Sequence, residues 1–186
     1  MRVVVGLSGS SGAIYGVAFL RRCPAEKYLI VSEWGREVLR QEMGMEVEEL
    51  APLVKRIYPD DDLAAPFASG SNRYDALVLI PCSLSTLGKI ASGIADTLIT
   101  RAAQVALKER MRVILALRET PLSSIALENA LKLSREGVVI MPVAPPWYKN
   151  PKSMDDVVNG FIDKVLRVMD IPVPGGWRSE ELDEPG

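Results

Sequence analysis

The chain has 186 residues, 48% of them hydrophobic and 25% charged, which is enough apolar material for one sizeable core; its net charge of −2 gives no electrostatic reason to expect nucleic acid or a membrane surface as partner. It contains no histidine, which removes Ser-His-Asp and Cys-His catalysis, His-ligated metal sites and the usual near-neutral proton switch. Two cysteines, Cys23 and Cys82, are too few for a disulfide framework and lack metal spacing, and no apolar run nears the roughly 20 residues of a membrane span, so reduced thiols and a cytoplasmic location are expected.

In chain order, short β-type runs alternate with helix-length amphipathic segments. The pattern predicts a strand over 2–7, a helix over 13–22, a strand over 28–31, helices over 34–43 and 47–57, and a strand over 76–80. Helices over 86–91 and 96–110, a strand over 112–117, a helix over 123–136, a strand over 138–141 and a helix over 154–169 complete the list. Such alternation implies an α/β fold, a doubly wound parallel sheet covered by helices on both faces. Gly137 stands where a helix C-terminal glycine belongs, and Ser153 reads as an N-cap followed by Asp155 and Asp156. Two stretches resist the pattern: 58–74 is polar and loop-like, and 141–151 gathers four prolines around Trp147 and Tyr148. One domain is expected over 1–171, with 172–186 a surface tail on which only Trp177 has a reason to dock.

Two apolar runs end in loops crowded with hydroxyls and glycines: VVVGLSGSSG over 3–12 and ALVLIPCSLSTLG over 76–88. Small side chains let a backbone approach an anion, Ser and Thr donate hydrogen bonds, and the helix that follows presents free N–H groups at its positive end. A bound mononucleotide is the first expectation. Gly6, Gly9 and Gly12 do not form the G-x-G-x-x-G of dinucleotide folds, although Glu33 lies near the place of a ribose-binding acid, and the Gly-Lys-Ser/Thr of nucleotide triphosphatases is absent. On the helix at 96–110, Arg101, Val105 and Lys108 share one side by i, i+4, i+7 spacing; Arg118 and Glu119 follow the next strand at the edge where open parallel sheets bind ligands.

GLSGSSGAIYG (6–16), ASGSNRYDALVLIPCSLSTL (68–87), LITRAAQVALKERMRVILALRETPLSSIALEN (98–129) and PWYKNPKSMDD (146–156) together resemble the UbiX-type flavin prenyltransferases, over about residues 2–171. The resemblance implies a flavodoxin-like, Rossmann-like three-layer fold, a homo-oligomer, usually a dodecamer, and transfer of a dimethylallyl group from dimethylallyl phosphate to N5 and C6 of reduced FMN. The product, prenylated FMN, would serve a UbiD-type decarboxylase. No metal is implied, in keeping with the missing DDxxD cluster of magnesium-dependent prenyltransferases. Carried across by position, the FMN contacts fall on Gly9, Ser10, Ser11, Ser32, Ser83, Leu84, Ser85, Thr86 and Arg118. The substrate-phosphate positions fall on Tyr148 and Lys164, with Trp177 a tail residue over the site; Glu119, Lys108, Arg101, Ser11 and Glu42 fall around the prenyl chemistry.

The resemblance has departures. Lys164 stands where many relatives carry arginine, exchanging a two-pronged phosphate contact for a point charge. Gln104, Ser10, Ala126 and Trp147 replace a frequent aspartate, alanine, histidine and phenylalanine. The related flavin-dependent cysteine decarboxylases depend on an active-site histidine that this chain lacks, which leaves a flavin-carrying subunit without chemistry as the other reading. Nicotinamide binding is a further alternative, which a response to NAD rather than FMN would expose.

Overall fold

The computed structural model describes residues 1–176. They fall into two compact units, Met1–Ala144 and one that begins at Pro145. The first holds β1 (Arg2–Leu7), α1 (Ala13–Arg22), β2 (Glu26–Val31), α2 (Glu33–Met43), β3 (Arg56–Pro59), β4 (Ala76–Cys82), α3 (Leu84–Ala91), α4 (Leu98–Lys108), β5 (Arg112–Leu117), α5 (Ser124–Arg135) and β6 (Val139–Pro142). All strand pairs are parallel, in the order β3-β2-β1-β4-β5-β6.

The strands form because their residues are β-branched or large and apolar, and both sheet faces are covered. Leu77 and Leu79 of β4 join Val4, Val113 and Leu115 in a core with Leu87 and Ile90 of α3, Leu98 and Ala102 of α4, and Leu133 of α5. The intervening residues point the other way: Gly16 of α1 comes so close to Leu7 and the Ile80 carbonyl that a Cβ there would collide with both. Helices on both faces make this unit a three-layer, doubly wound α/β fold. Without β3 its five strands follow the flavodoxin order, and β3 extends it to the dinucleotide-fold order. The order reverses between β1 and β4, so their C-terminal ends form the crevice where such sheets bind ligands.

One predicted element is wrong. The helix expected over 47–57 is a 3₁₀ segment, Val47–Leu53, followed by β3. Pro52 removes a helical donor, and Arg56–Pro59 then pairs with β2 from Tyr28↔Arg56 to Val31↔Pro59. The 58–74 stretch is likewise less open than its polarity suggests. Phe67 packs edge-on against Tyr28, Tyr58 and Tyr74 with centroids 5.0, 5.6 and 5.7 Å apart, and the Tyr74 hydroxyl donates to the Ala102 carbonyl.

The second unit holds a 3₁₀ turn, Trp147–Lys149, and α6 (Met154–Val168). Ser153 caps α6, accepting from the Asp156 N–H while the Asp156 carboxylate accepts from the Ser153 N–H. Arg167 donates to the carbonyls of Val173, Pro174 and Gly175 at the start of the tail.

Candidate functional site

Ser8 locks the two hydroxyl-rich loops together. Its buried hydroxyl donates to the Pro81 carbonyl at 2.9 Å and accepts from the Ser83 N–H at 2.9 Å, which joins the end of β1 to the start of α3. Beside this lock opens a cleft of about 420 Å³ lined by Gly9, Ser32, Glu33, Trp34, Asp60, Ser83, Ser85, Thr86, Lys89, Thr97, Ile99 and Thr100. Apart from Gly9, Asp60 and Lys89, these residues come from the first turns or caps of α2, α3 and α4, so three helix amino termini converge on one space. Such termini favour an anion through free N–H groups and the positive end of the dipole.

The four helices that start near this edge divide into two kinds. The α1 terminus is filled by a protein carboxylate: Gly12 and Ala13 N–H donate to Glu42 Oε2 at 2.8 and 2.9 Å. The α4 terminus is filled likewise, with Ile99 N–H donating to Asp60 Oδ1 at 2.7 Å. By contrast, α2 and α3 are capped by their own serines: Ser32 Oγ accepts from Gly35 N–H at 3.0 Å, and Ser83 Oγ from Thr86 N–H at 3.2 Å. Among the described residues nothing accepts from the N–H groups of Glu33, Trp34, Leu84 or Ser85. The free helix ends that the sequence suggests for both loops therefore belong to α2 and α3, not α1.

A second cluster lies on the β1–α1 loop. Ser10 Oγ donates to the Arg118 carbonyl at 2.8 Å, and Arg118 Nε donates to the Ser11 carbonyl at 2.9 Å, clasping the loop to the end of β5. Partial burial pushes the Glu42 carboxyl up, but the Ser11 side chain, the Ala13 and Gly12 N–H groups and the Arg118 charge outweigh it and hold Glu42 below the ordinary range. Burial raises the Asp60 carboxyl against the opposing Ile99 N–H and Thr97 side chain. Burial pushes the Cys82 thiol up to about 12, so it stays an unreactive thiol.

Of the residues singled out from sequence, Gly9, Ser32, Ser83, Ser85 and Thr86 line the cleft; Ser10, Ser11, Arg118 and Glu42 form the second cluster. Leu84 starts α3 between Ser83 and Ser85. Glu119 is exposed, accepting from its neighbour's Thr120 N–H at 3.0 Å. Arg101 is exposed on the second turn of α4, while the intervening Val105 is buried. Lys108 ends α4 beside Glu109, which Arg73 and Gly70 also approach, at the edge where β5 begins. That is the sheet edge opposite Ser83. In the second unit Tyr148 is exposed on the 3₁₀ turn and Lys164 is exposed on α6. Trp177 lies outside the described residues. Ser8, Asp60, Trp34, Lys89 and Thr97 escaped the sequence reading; only Thr97, a threonine directly before an apolar helical run, carried a local signal. Among the described residues no group of acidic or cysteine side chains could hold a metal, and no helix is long and apolar enough to cross a membrane.

Comparison with known proteins adds three findings. The Flavoprotein family matches residues 1–170. The flavin prenyltransferase UbiX of Thermoplasma acidophilum is 45% identical over 172 residues, covering 92% of this chain and 96% of that one. Two solved structures superpose closely. AnUbiX (PadA1) in complex with FMN and dimethylallyl pyrophosphate has a TM-score of 0.89 at 37% identity, over 95% of this chain and 98% of that one. The dodecameric FMN-dependent UbiX-like decarboxylase of Escherichia coli O157:H7 has a TM-score of 0.91 at 38% identity, over 95% and 99%.

Proposed function

This chain belongs to the Flavoprotein family and within it to the UbiX-type flavin prenyltransferases, and from that premise we propose that it transfers the dimethylallyl group of dimethylallyl phosphate to N5 and C6 of reduced FMN. Inorganic phosphate leaves, and the prenylated FMN passes to a UbiD-type decarboxylase. The protein works in the cytoplasm as a homo-oligomer, a dodecamer like its Escherichia coli relative.

The observation that carries the reading is the cleft at the β1–β4 switch point, with the α2 and α3 termini pointing unused N–H groups into a hydroxyl-lined space. The phosphate of FMN fits there, against Ser32, Ser83, Leu84, Ser85 and Thr86 and beside Gly9. Ser10, Ser11 and Arg118 then hold the flavin's other end, where reduced flavin supplies the nucleophilic nitrogen. No metal is needed, because fixed cations take its part: Lys108, Arg101 and Lys164, with the Tyr148 hydroxyl, stabilise the charge growing on the departing phosphate. Glu119, exposed at the strand end, takes the proton released on ring closure. Glu42, ionised among N–H donors, orients the Ser11 hydroxyl. Holding donor and acceptor in line supplies much of the rate, which explains a site made of positioning groups.

Anaerobic incubation with reduced FMN and dimethylallyl phosphate, followed by mass spectrometry, tests this. The expected product is a flavin heavier by one prenyl unit, formed far more slowly by Glu119→Ala. An unaltered flavin from the native protein would overturn the reading and leave a carrier, whereas equal output from Glu119→Ala would remove Glu119 from the proton-accepting role.

A further inference from the structure

In the second unit one contact is used by none of the chemistry above. Lys149 ends the Trp147–Lys149 turn, and its ammonium donates to the Asp163 carboxylate of α6 at 2.8 Å. The two side chains are only 27% and 15% exposed, so water and salt screen this pair less than the surface pair Arg36–Glu48, at 39% and 73%. A neighbouring contact anchors the same turn. Gly160, three residues before Asp163 and on the same side of α6, lies under Pro146: a Cβ at Gly160 would meet Pro146 Cγ at 3.1 Å and Cδ at 3.2 Å. Both ends of the turn are thus seated on one stripe of α6, one by close packing and one by charge.

Taking a carboxylate and an ammonium out of water costs free energy that their attraction returns only when the geometry is held, so such a pair adds little net stability and is better suited to fixing a register. Tyr148 precedes Lys149, and Lys164 follows Asp163. Each residue assigned to the donor phosphate therefore has its Cα about 3.8 Å from that of a member of the pair. A lysine is a point charge on a flexible stem, and it has more need of a fixed base than a forked arginine would.

We propose that the Lys149–Asp163 pair, seated by Pro146 on Gly160, is a positioning device that sets Tyr148 and Lys164 at a fixed separation to receive the phosphate of the prenyl donor. This rests on the reading of Tyr148 and Lys164 as donor-phosphate ligands. Neither Lys149 nor Asp163 touches substrate; they act through their sequence neighbours.

The test compares, in the full-length protein, KM for dimethylallyl phosphate, affinity for FMN and kcat across Asp163→Asn, Lys149→Arg, Tyr148→Phe and Lys164→Ala. Asp163→Asn should raise the donor KM about tenfold, the scale of a small misplacement of binding groups, and leave FMN affinity unchanged. Lys149→Arg keeps the charge and should stay near the native protein. Two outcomes overturn the inference alone: Tyr148→Phe and Lys164→Ala raise the donor KM while Asp163→Asn does not, or Asp163→Asn weakens donor and FMN equally, as general loosening would. A donor KM that moves in none of the four overturns the ligand assignment and this inference with it. Should Asp163→Asn not fold, Gly160→Ala carries the same test, since it pushes Pro146 off the helix by a few tenths of an ångström without removing a charge.

Discussion

At the scale of single residues, the site depends on polar groups whose partners lie far away in sequence. Ser8 is such a residue: replacing it by alanine strands the Ser83 N–H and leaves the Pro81 carbonyl only the longer 3.4 Å bond from the Ser8 N–H, so Ser8→Ala should cost about 1–3 kcal/mol in a urea titration. FMN affinity should fall with it, because Ser83 caps the helix that faces the cleft. Asp60 acts in the opposite sense. Its folded-state pKa is raised by burial, so the folded protein binds that proton more tightly than the unfolded chain, and the ionised carboxylate lowers stability above the raised pKa. Asp60→Asn, whose amide oxygen can still accept from Ile99 N–H, should stabilise the protein at neutral pH, and the gain should fade as pH falls through the raised pKa toward the ordinary carboxylate value. With one negative charge gone from the cleft, FMN should bind roughly two- to tenfold more tightly by titration calorimetry. Ser83, Ser85 and Thr86 were legible in the sequence because a hydroxyl-rich loop after an apolar run is a local signal, whereas Ser32 came only from the family resemblance. Ser8 and Asp60 were not legible, since their roles exist only once β1 lies beside β4 and β3 ends beside α4.

At the scale of elements, the starts of α2 and α3 decide what the cleft can hold. The α2 start comes against β1 so closely that a Cβ on Gly35 would lie 2.4 Å from the Leu7 carbonyl oxygen, a backbone atom that cannot turn aside. Gly35→Ala should push the first turn of α2 off the sheet, lowering the thermal midpoint by several degrees and weakening FMN binding through Ser32. A variant with native affinity would show that the approach is not needed. The other five strands were readable because each contains an apolar run. β3 was hidden by its composition: Arg56–Pro59 holds only Ile57 and Tyr58 between a charge and a proline, and the Val47–Leu53 turn before it has the composition of a helix up to Pro52.

At the scale of the whole molecule, α4 carries Arg101 toward one end and Lys108 at the other, roughly 10 Å apart at 1.5 Å per residue. Lys108 therefore stands at the sheet edge opposite the cleft of its own subunit, so the role proposed for it requires the site of another copy in a homo-oligomer. Co-expressed Lys108→Ala and Glu119→Ala chains should recover part of the activity that each lacks alone, since some mixed sites then hold both native residues. No recovery in mixed oligomers would place all of these groups in one subunit. The proposed flavin site is more local: two serine-capped helices at the β1–β4 switch point would receive the flavin's phosphate. Crystals grown with FMN test it most directly. The phosphate should lie against Ser32, Ser83 and Thr86, within hydrogen-bond reach of the N–H groups of Leu84 and Ser85. A flavin bound with its phosphate elsewhere, and that cleft holding only solvent, would contradict it.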